Sequence, residues 1–289
     1  MAEKADKSEK SKRVATGIEG LDPLTQNGLL PGKSYLVTGD AGTGKTTACL
    51  QFLLKGLTSG EKAVYVTVDE RPTDLLDSAA SLGWDLQPFV QEKNLVILDA
   101  APYFSTRSGT PGREREVDIQ RIVTDLASHI NRMEAKRLAI DPVGPLIKAD
   151  TPSGRSEEQA RLLIRLLQTQ LQTTNILSSG RSEDETSNIE EFLAAGVLAL
   201  RMFRSGDRFV RTLWVKKMRG TAVVPIEYEF NISKGKGIVL MAPLAQPVAA
   251  VAQPAAENGL RPLQANGSTA AAEEPGSILQ PFEPEKSSK

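Results

Sequence analysis

The chain has 289 residues, 40% of them hydrophobic and 25% charged, with a formal net charge of −1. That balance suits one sizeable globular domain with unstructured flanks, and it supplies no global field for nucleic acid or an acidic membrane. A single cysteine, Cys49, excludes an internal disulfide and fits a reducing, cytoplasmic setting; with His129 as the one histidine, a zinc site built from Cys and His is excluded as well.

The first residues, Met1–Arg13, are rich in Lys, Glu and Ser and carry no apolar stretch of a secretory signal, so they read as a solvated tail. One continuous domain is expected from Val14 to Met241. Beyond it, residues 242–289 turn rich in Ala, Pro, Gln, Glu and Gly, a composition that buries too little apolar surface to offset its ordering entropy. Both ends are therefore expected to be disordered. No apolar run is long enough to span a bilayer.

Inside the domain, short β-rich runs alternate with helical patterns. The runs are Tyr35–Thr38, Ala63–Val68, Leu95–Leu98, Leu138–Ile140 and Asn175–Leu177. Helical spacing falls near Lys45–Leu57, Thr73–Leu82, Asp118–Glu134 and Ser156–Gln172, the last with Leu162, Leu163, Leu166, Leu167 and Leu171 on a core face. Such alternation predicts an α/β fold, a mostly parallel sheet with helices on both faces. The pattern then changes: Val197–Phe203 and Phe209–Lys217 flank a loop at Arg204–Arg208 and read as a β-hairpin, with further strands at Pro225–Phe230 and Gly237–Met241.

Between the first run and the first helix, Gly39, Asp40, Ala41, Gly42, Thr43, Gly44, Lys45 and Thr46 spell G-x-x-x-x-G-K-T. A strand–loop–helix setting is what this phosphate-binding motif needs, because glycines let backbone N–H groups close around phosphates and the helix dipole favours their charge. The expected nucleotide cradle is Gly39 to Thr46 with Thr47 in the first helical turn. Lys45 is expected to reach the outer phosphates, and the Thr46 hydroxyl to bind Mg²⁺. Cys49, in the same helix, reads as a packed core thiol.

A second acidic group must help hold Mg²⁺, at the end of a buried strand. Asp141, closing Arg137–Asp141, is the first choice for this aspartate, and Asp99, closing Val96–Asp99, is its rival; the strand beside the phosphate loop is expected to supply it. Asp69 and Glu70 follow the Ala63–Val68 run and suit a general base and its supporting partner, Glu70 being the stronger candidate. Hydroxyls of Ser178 and Ser179, with Arg181, end another run and could sense a γ-phosphate as readily as form a turn. Lys217 and Arg219, at the end of the late hairpin, could supply a second cation to the transferred phosphoryl group, acting on a neighbour's nucleotide, or be an exposed basic strand end.

Taken together, Thr16-Gly17-Ile18-Glu19-Gly20-Leu21-Asp22, Gly28-Leu29-Leu30-Pro31-Gly32, the phosphate loop, Asp69-Glu70-Arg71-Pro72, Gly83-Trp84-Asp85, Glu190-Glu191-Phe192 and Lys217-Met218-Arg219-Gly220-Thr221 resemble the KaiC family of RecA-like ATPases, over nearly all of Val14–Met241. The resemblance implies a RecA-like fold, ATP and Mg²⁺ as ligands, and homo-hexameric rings with ATP between subunits. It gives Asp69 and Glu70 the place of the family's paired catalytic glutamates, and Lys217 and Arg219 a role across the subunit interface. Asp69 departs from the family, being shorter than the glutamate it replaces. The family's autophosphorylated domain has neighbouring Ser and Thr where Ser187–Phe192 falls; Glu190-Glu191 resembles the hydrolytic domain instead, and Ser187 keeps an autokinase open.

The expected function is Mg²⁺-dependent ATP hydrolysis by a ring that drives or times partner binding. Phe104–Arg115 and Asp150–Arg155 are candidate partner-facing loops, both long or rich in Pro and Gly. The alternatives are a serine/threonine autokinase, a DNA-binding recombinase relative, against which the near-neutral charge argues, and a nucleotide-loaded scaffold without turnover.

Overall fold

In the computed structural model of the chain, the described residues are 13–101, 118–148, 153–180, 191 and 193–244. Strands β1 (Ser34–Gly39), β2 (Ala63–Thr67), β3 (Leu95–Asp99), β4 (Arg137–Asp141), β5 (Thr174–Gly180), β6 (Gly196–Ser205), β7 (Arg208–Met218), β8 (Tyr228–Ser233) and β9 (Gly237–Pro243) form one sheet in the order β3-β2-β4-β5-β1-β6-β7-β8-β9. Pairing is parallel from β3 through β6 and antiparallel from β6 to β9. The expected α/β architecture and its C-terminal hairpin are both present.

The helices are α1 (Leu21–Leu24), α2 (Lys45–Leu57), α3 (Pro72–Ser81), α4 (Gln87–Gln91), α5 (Ile119–Met133), α6 (Gly144–Lys148) and α7 (Ser153–Gln170). Every residue of β1, β2 and β4 is buried, as strands covered on both faces must be. Alternate residues feed two cores. Tyr35, Val37, Tyr65 and Ala139 pack with Phe52 and Leu53 of α2 and Leu75 of α3. Leu36, Val64, Val66, Leu138 and Ile140 pack on the other face with Ile122, Leu126 and Ile130 of α5 and Leu163 and Leu167 of α7. Helix α5 buries Ile119, Ile122, Val123, Leu126, Ile130 and Met133 at three- and four-residue spacing, and Asp118 caps it by accepting from the Arg121 amide at 3.0 Å.

The β6–β7 connection is tighter than the five-residue loop expected from sequence. Both strands run on to Ser205 and Arg208, leaving Gly206 at φ 61° and Asp207 to turn the chain, which suits a two-residue hairpin. Strand β9 continues past Met241 through Ala242 and Pro243, because Pro243 pairs with Tyr228 of β8. The turn between β8 and β9 is fastened to the phosphate-loop helix. Gln51 of α2 donates to the carbonyls of Gly17, Lys236 and Ile238 and accepts from the Ile238 amide, while the Trp84 indole donates to Gly235. That clamp holds α2, and with it the loop before α2, against the antiparallel half of the sheet.

Candidate functional site

The loop from Gly39 to Lys45 leaves the C-terminal end of central strand β1 and enters α2 directly. A Cβ on Gly39 would collide with the Leu200 carbonyl and the Thr43 hydroxyl, and Gly42 and Gly44 sit at φ 75° and 106°, so these positions need glycine. Thr43 is fully buried and donates to the Asp40 carbonyl at 2.8 Å, which fixes the loop's curl. Helix α2 has no acidic residue in its first turn and no side-chain cap, so its N-terminal amides face the loop without an internal anion. Lys45 folds back over the loop, its Nζ donating to Gly39 and Asp40 carbonyls at 2.9 Å each. Burial holds the Lys45 ammonium below the usual lysine range, against the attraction of Asp141 and Asp40.

The carboxylates gather along one row of the sheet. Thr67 at the end of β2 pairs with Asp141 at the end of β4. Ser178 of β5 stands next to Asp141 on one side and opposite Val37 of β1 on the other. Asp141 is 9% exposed and accepts from Tyr65 Oη on Oδ2 at 2.6 Å and from Ser178 Oγ on Oδ1. Asp69 and Glu70 leave the end of β2. Thr67 Oγ1 donates to the Glu70 carbonyl at 2.7 Å and accepts its amide at 3.3 Å. Burial raises the Glu70 carboxyl above its ordinary range, and Asp141, then Asp74, then Asp69 add to the rise. Asp141 is thus the charge that both Lys45 and Glu70 feel.

One sequence expectation is corrected here. The strand beside β1 does not supply the acidic group at the end of the row: β5 lies between β1 and β4, so Asp141 stands one strand further out and reaches the loop's neighbourhood past Ser178. Ser178 correspondingly spends its hydroxyl on Asp141, while Ser179 donates to the Gly180 carbonyl at 3.3 Å. Asp99 ends edge strand β3, with β2, β4 and β5 separating it from β1, and accepts from the Ala101 amide at 2.8 Å, which is the turn-capping role. Tyr65 was not singled out from sequence; a Tyr in the middle of a fully buried strand, whose hydroxyl needs a polar partner, was the available signal.

Lys217 and Arg219 lie at the other end of the sheet. Lys217 pairs with Val197, and the Arg219 amide donates to Ala195, whose own amide donates to Ser34, the first residue of β1. Gly39 is the last residue of that strand, about 16 Å further along at roughly 3.3 Å per residue. Lys217 Nζ donates to the Glu191 carbonyl and Lys216 Nζ to the Glu191 carboxylate, both at 2.6 Å. Burial, then the neighbouring Arg219 charge, pulls the Lys217 ammonium down. Thr46 and Thr47 lie in the first turn of α2 and are half-buried. Cys49 is fully buried, and burial pushes its thiol well up, which fits a packed core residue. Arg181, Ser187, Glu190, Phe192 and the loop Phe104–Arg115 fall outside the described residues, as do the expected tails apart from Arg13 and residues 242–244. Among the described residues no three His, Cys, Asp or Glu side chains gather as a metal cluster, and no helix is long and apolar enough to cross a membrane.

A phosphate loop at the end of a central parallel strand, with an acidic strand end one strand removed on a sheet of this order, defines the class: a RecA-type P-loop protein. The family model described as "ATPase: KaiC" matches residues 14–245. The chain is 34% identical over 235 residues to the circadian clock oscillator protein KaiC of Thermostichus vulcanus, covering 78% of this chain and 44% of that protein. It is 35% identical over 227 residues to the KaiC of Synechococcus elongatus, covering 76% and 43%. A crystal structure of a KaiC-like protein from Pyrococcus horikoshii superposes with a TM-score of 0.69 at 30% identity, covering 80% of this chain and all of that one. This chain belongs to the KaiC family of ATPases. It spans less than half the length of the two clock proteins it matches.

Proposed function

We propose that this chain is a Mg²⁺-dependent ATPase that works as a ring, a homo-hexamer with ATP between subunits, and that its nucleotide state governs partner binding. One observation carries the reading: Lys45, Asp141 and Glu70 lie at or just after strand ends on one side of the sheet while Lys217 and Arg219 stand at the other. The donor set suits a triphosphate, since α2 opens with bare amides and a lysine and holds no acidic group in its first turn. Thr46 and Asp141 would hold Mg²⁺, which neutralises phosphate charge when bound.

In this reading Lys45 leaves the carbonyls of Gly39 and Asp40 for the outer phosphates. Glu70, with its raised affinity for protons, takes the proton of the attacking water, and Asp69 supports it. Arg219 and Lys217 cannot serve the chain's own phosphate loop from the far end of β1, so they stabilise the charge developing on a neighbour's phosphoryl group. Phosphate release from Mg-ATP, with Glu70→Gln as control, tests the hydrolysis; light scattering with and without ATP tests the ring. Absence of phosphate release from the wild-type chain, or a monomer in the presence of ATP, would overturn the corresponding half.

A further inference from the structure

Tyr65 is 1% exposed, and its ring packs in the same core cluster as Cys49, Phe52 and Leu53 of the phosphate-loop helix. Its hydroxyl has one partner of consequence to the site, Oδ2 of Asp141 at 2.6 Å. The other carboxylate oxygen is held by Ser178, which is fully buried. Tyr65 and Ser178 stand on β2 and β5, the two strands that flank β4. The last torsion of an aspartate is soft and sets its carboxylate plane only loosely. Two buried hydroxyls, one from each side, fix that plane, and each takes one of the two acceptor sites of its oxygen, leaving the second of each open.

We propose that Tyr65 is a positioning residue for the cation site: through its hydroxyl it fixes the orientation in which Asp141 meets a divalent metal. The inference rests on Asp141 being a cation ligand. Groups that orient a metal ligand typically govern about 10- to 100-fold in metal affinity. The hydroxyl alone is at issue, because a phenylalanine would fill the same core volume.

The test uses the full chain and a fluorescent ATP analogue. Mg²⁺ is titrated against nucleotide binding, Mn²⁺ binding is followed by electron paramagnetic resonance, and nucleotide affinity is measured again in excess EDTA, for the wild type, Tyr65→Phe and Asp141→Asn. Tyr65→Phe is expected to raise the half-saturating Mg²⁺ and Mn²⁺ concentrations about ten-fold or more while nucleotide affinity in EDTA stays at the wild-type value. Unchanged metal half-saturation in Tyr65→Phe overturns the proposal, even where the unfolding temperature falls, because a purely structural hydroxyl would do only that. Unchanged metal half-saturation in Asp141→Asn removes Asp141 as a ligand, and the proposal falls with that reading. Should Tyr65→Phe fail to fold, Tyr65→Met, a smaller and more flexible apolar side chain that also lacks the hydroxyl, is read by the same titrations and the same criteria.

Discussion

The hydroxyl of Thr67 donates to the carbonyl of Glu70 at 2.7 Å and accepts the Glu70 amide at 3.3 Å, closing a turn where β2 leaves the sheet. The turn returns Glu70 toward the row that ends in Asp141, whose charge it feels. Glu70→Gln keeps the shape and removes the base. Phosphate release is expected to fall by about 100-fold or more, with ATP affinity within a few-fold of wild type. Turnover near the wild-type rate would assign the base elsewhere.

The raised proton affinity of Glu70 sets a pH dependence. Burial and the charges of Asp141, Asp74 and Asp69 all disfavour the ionised form. A base works only when ionised, so turnover should be lost as pH falls through the folded-state value, and that value lies above the ordinary glutamate range. The acidic limb of kcat, measured at saturating Mg-ATP, should therefore sit higher than an unperturbed glutamate gives. A limb at or below the ordinary range counts against Glu70.

Gly237, at φ 73°, stands where the β8–β9 turn meets α2, and a Cβ there would run into the Trp84 ring and Gln51 Oε1. Gly237→Ala combines a left-handed backbone with overpacking against a rigid indole, each worth about 1–3 kcal/mol. A loss of that order is expected in denaturant unfolding. Gly206→Ala, with a similar φ of 61° but open space around it, should cost less. Equal losses would show that strain alone acts and that the docking of the turn on α2 contributes nothing.

Much of this was legible in the sequence because local chemistry announces it. The phosphate loop is a contiguous motif, and the five parallel strands β1–β5 read as short apolar runs. Other features depend on strand order, which no local pattern encodes. Asp99 and Asp141 close runs of the same shape, and only the sheet tells them apart, placing one on the edge and the other between β2 and β5. Tyr65 and Asp141 are separated by 76 positions and meet because β2 pairs with β4 as well as β3. Helices α1, α4 and α6, of four or five residues, are too short to display a helical period.

That edge placement makes Asp99 an internal control. Its carboxylate already accepts from the Ala101 amide, and β2 and β4 separate it from Ser178. Asp99→Asn should leave turnover and its Mg²⁺ dependence within about two-fold of wild type, whereas Asp141→Asn, at the proposed metal ligand, should abolish turnover. A large loss in Asp99→Asn, at unchanged unfolding temperature, would move the cation site to the sheet edge.

Arg219 gives the sharpest test of assembly, because its backbone stands at the opposite end of β1 from Gly39 and the phosphate loop. Arg219→Ala should lower phosphate release about 1,000-fold while ATP binding is retained. Lys45→Ala should lose the nucleotide yet still present Arg219 to a neighbour. Neither variant alone is expected to turn over. Mixed in equal amounts with ATP under conditions that let subunits exchange, they should regain up to about a quarter of wild-type activity, since in a head-to-tail ring about one contact in four pairs an intact loop with an intact arginine. Should the mixture remain as inactive as its components after exchange has been verified by labelled subunits, Arg219 does not act across the interface, and its role in hydrolysis would have to be indirect.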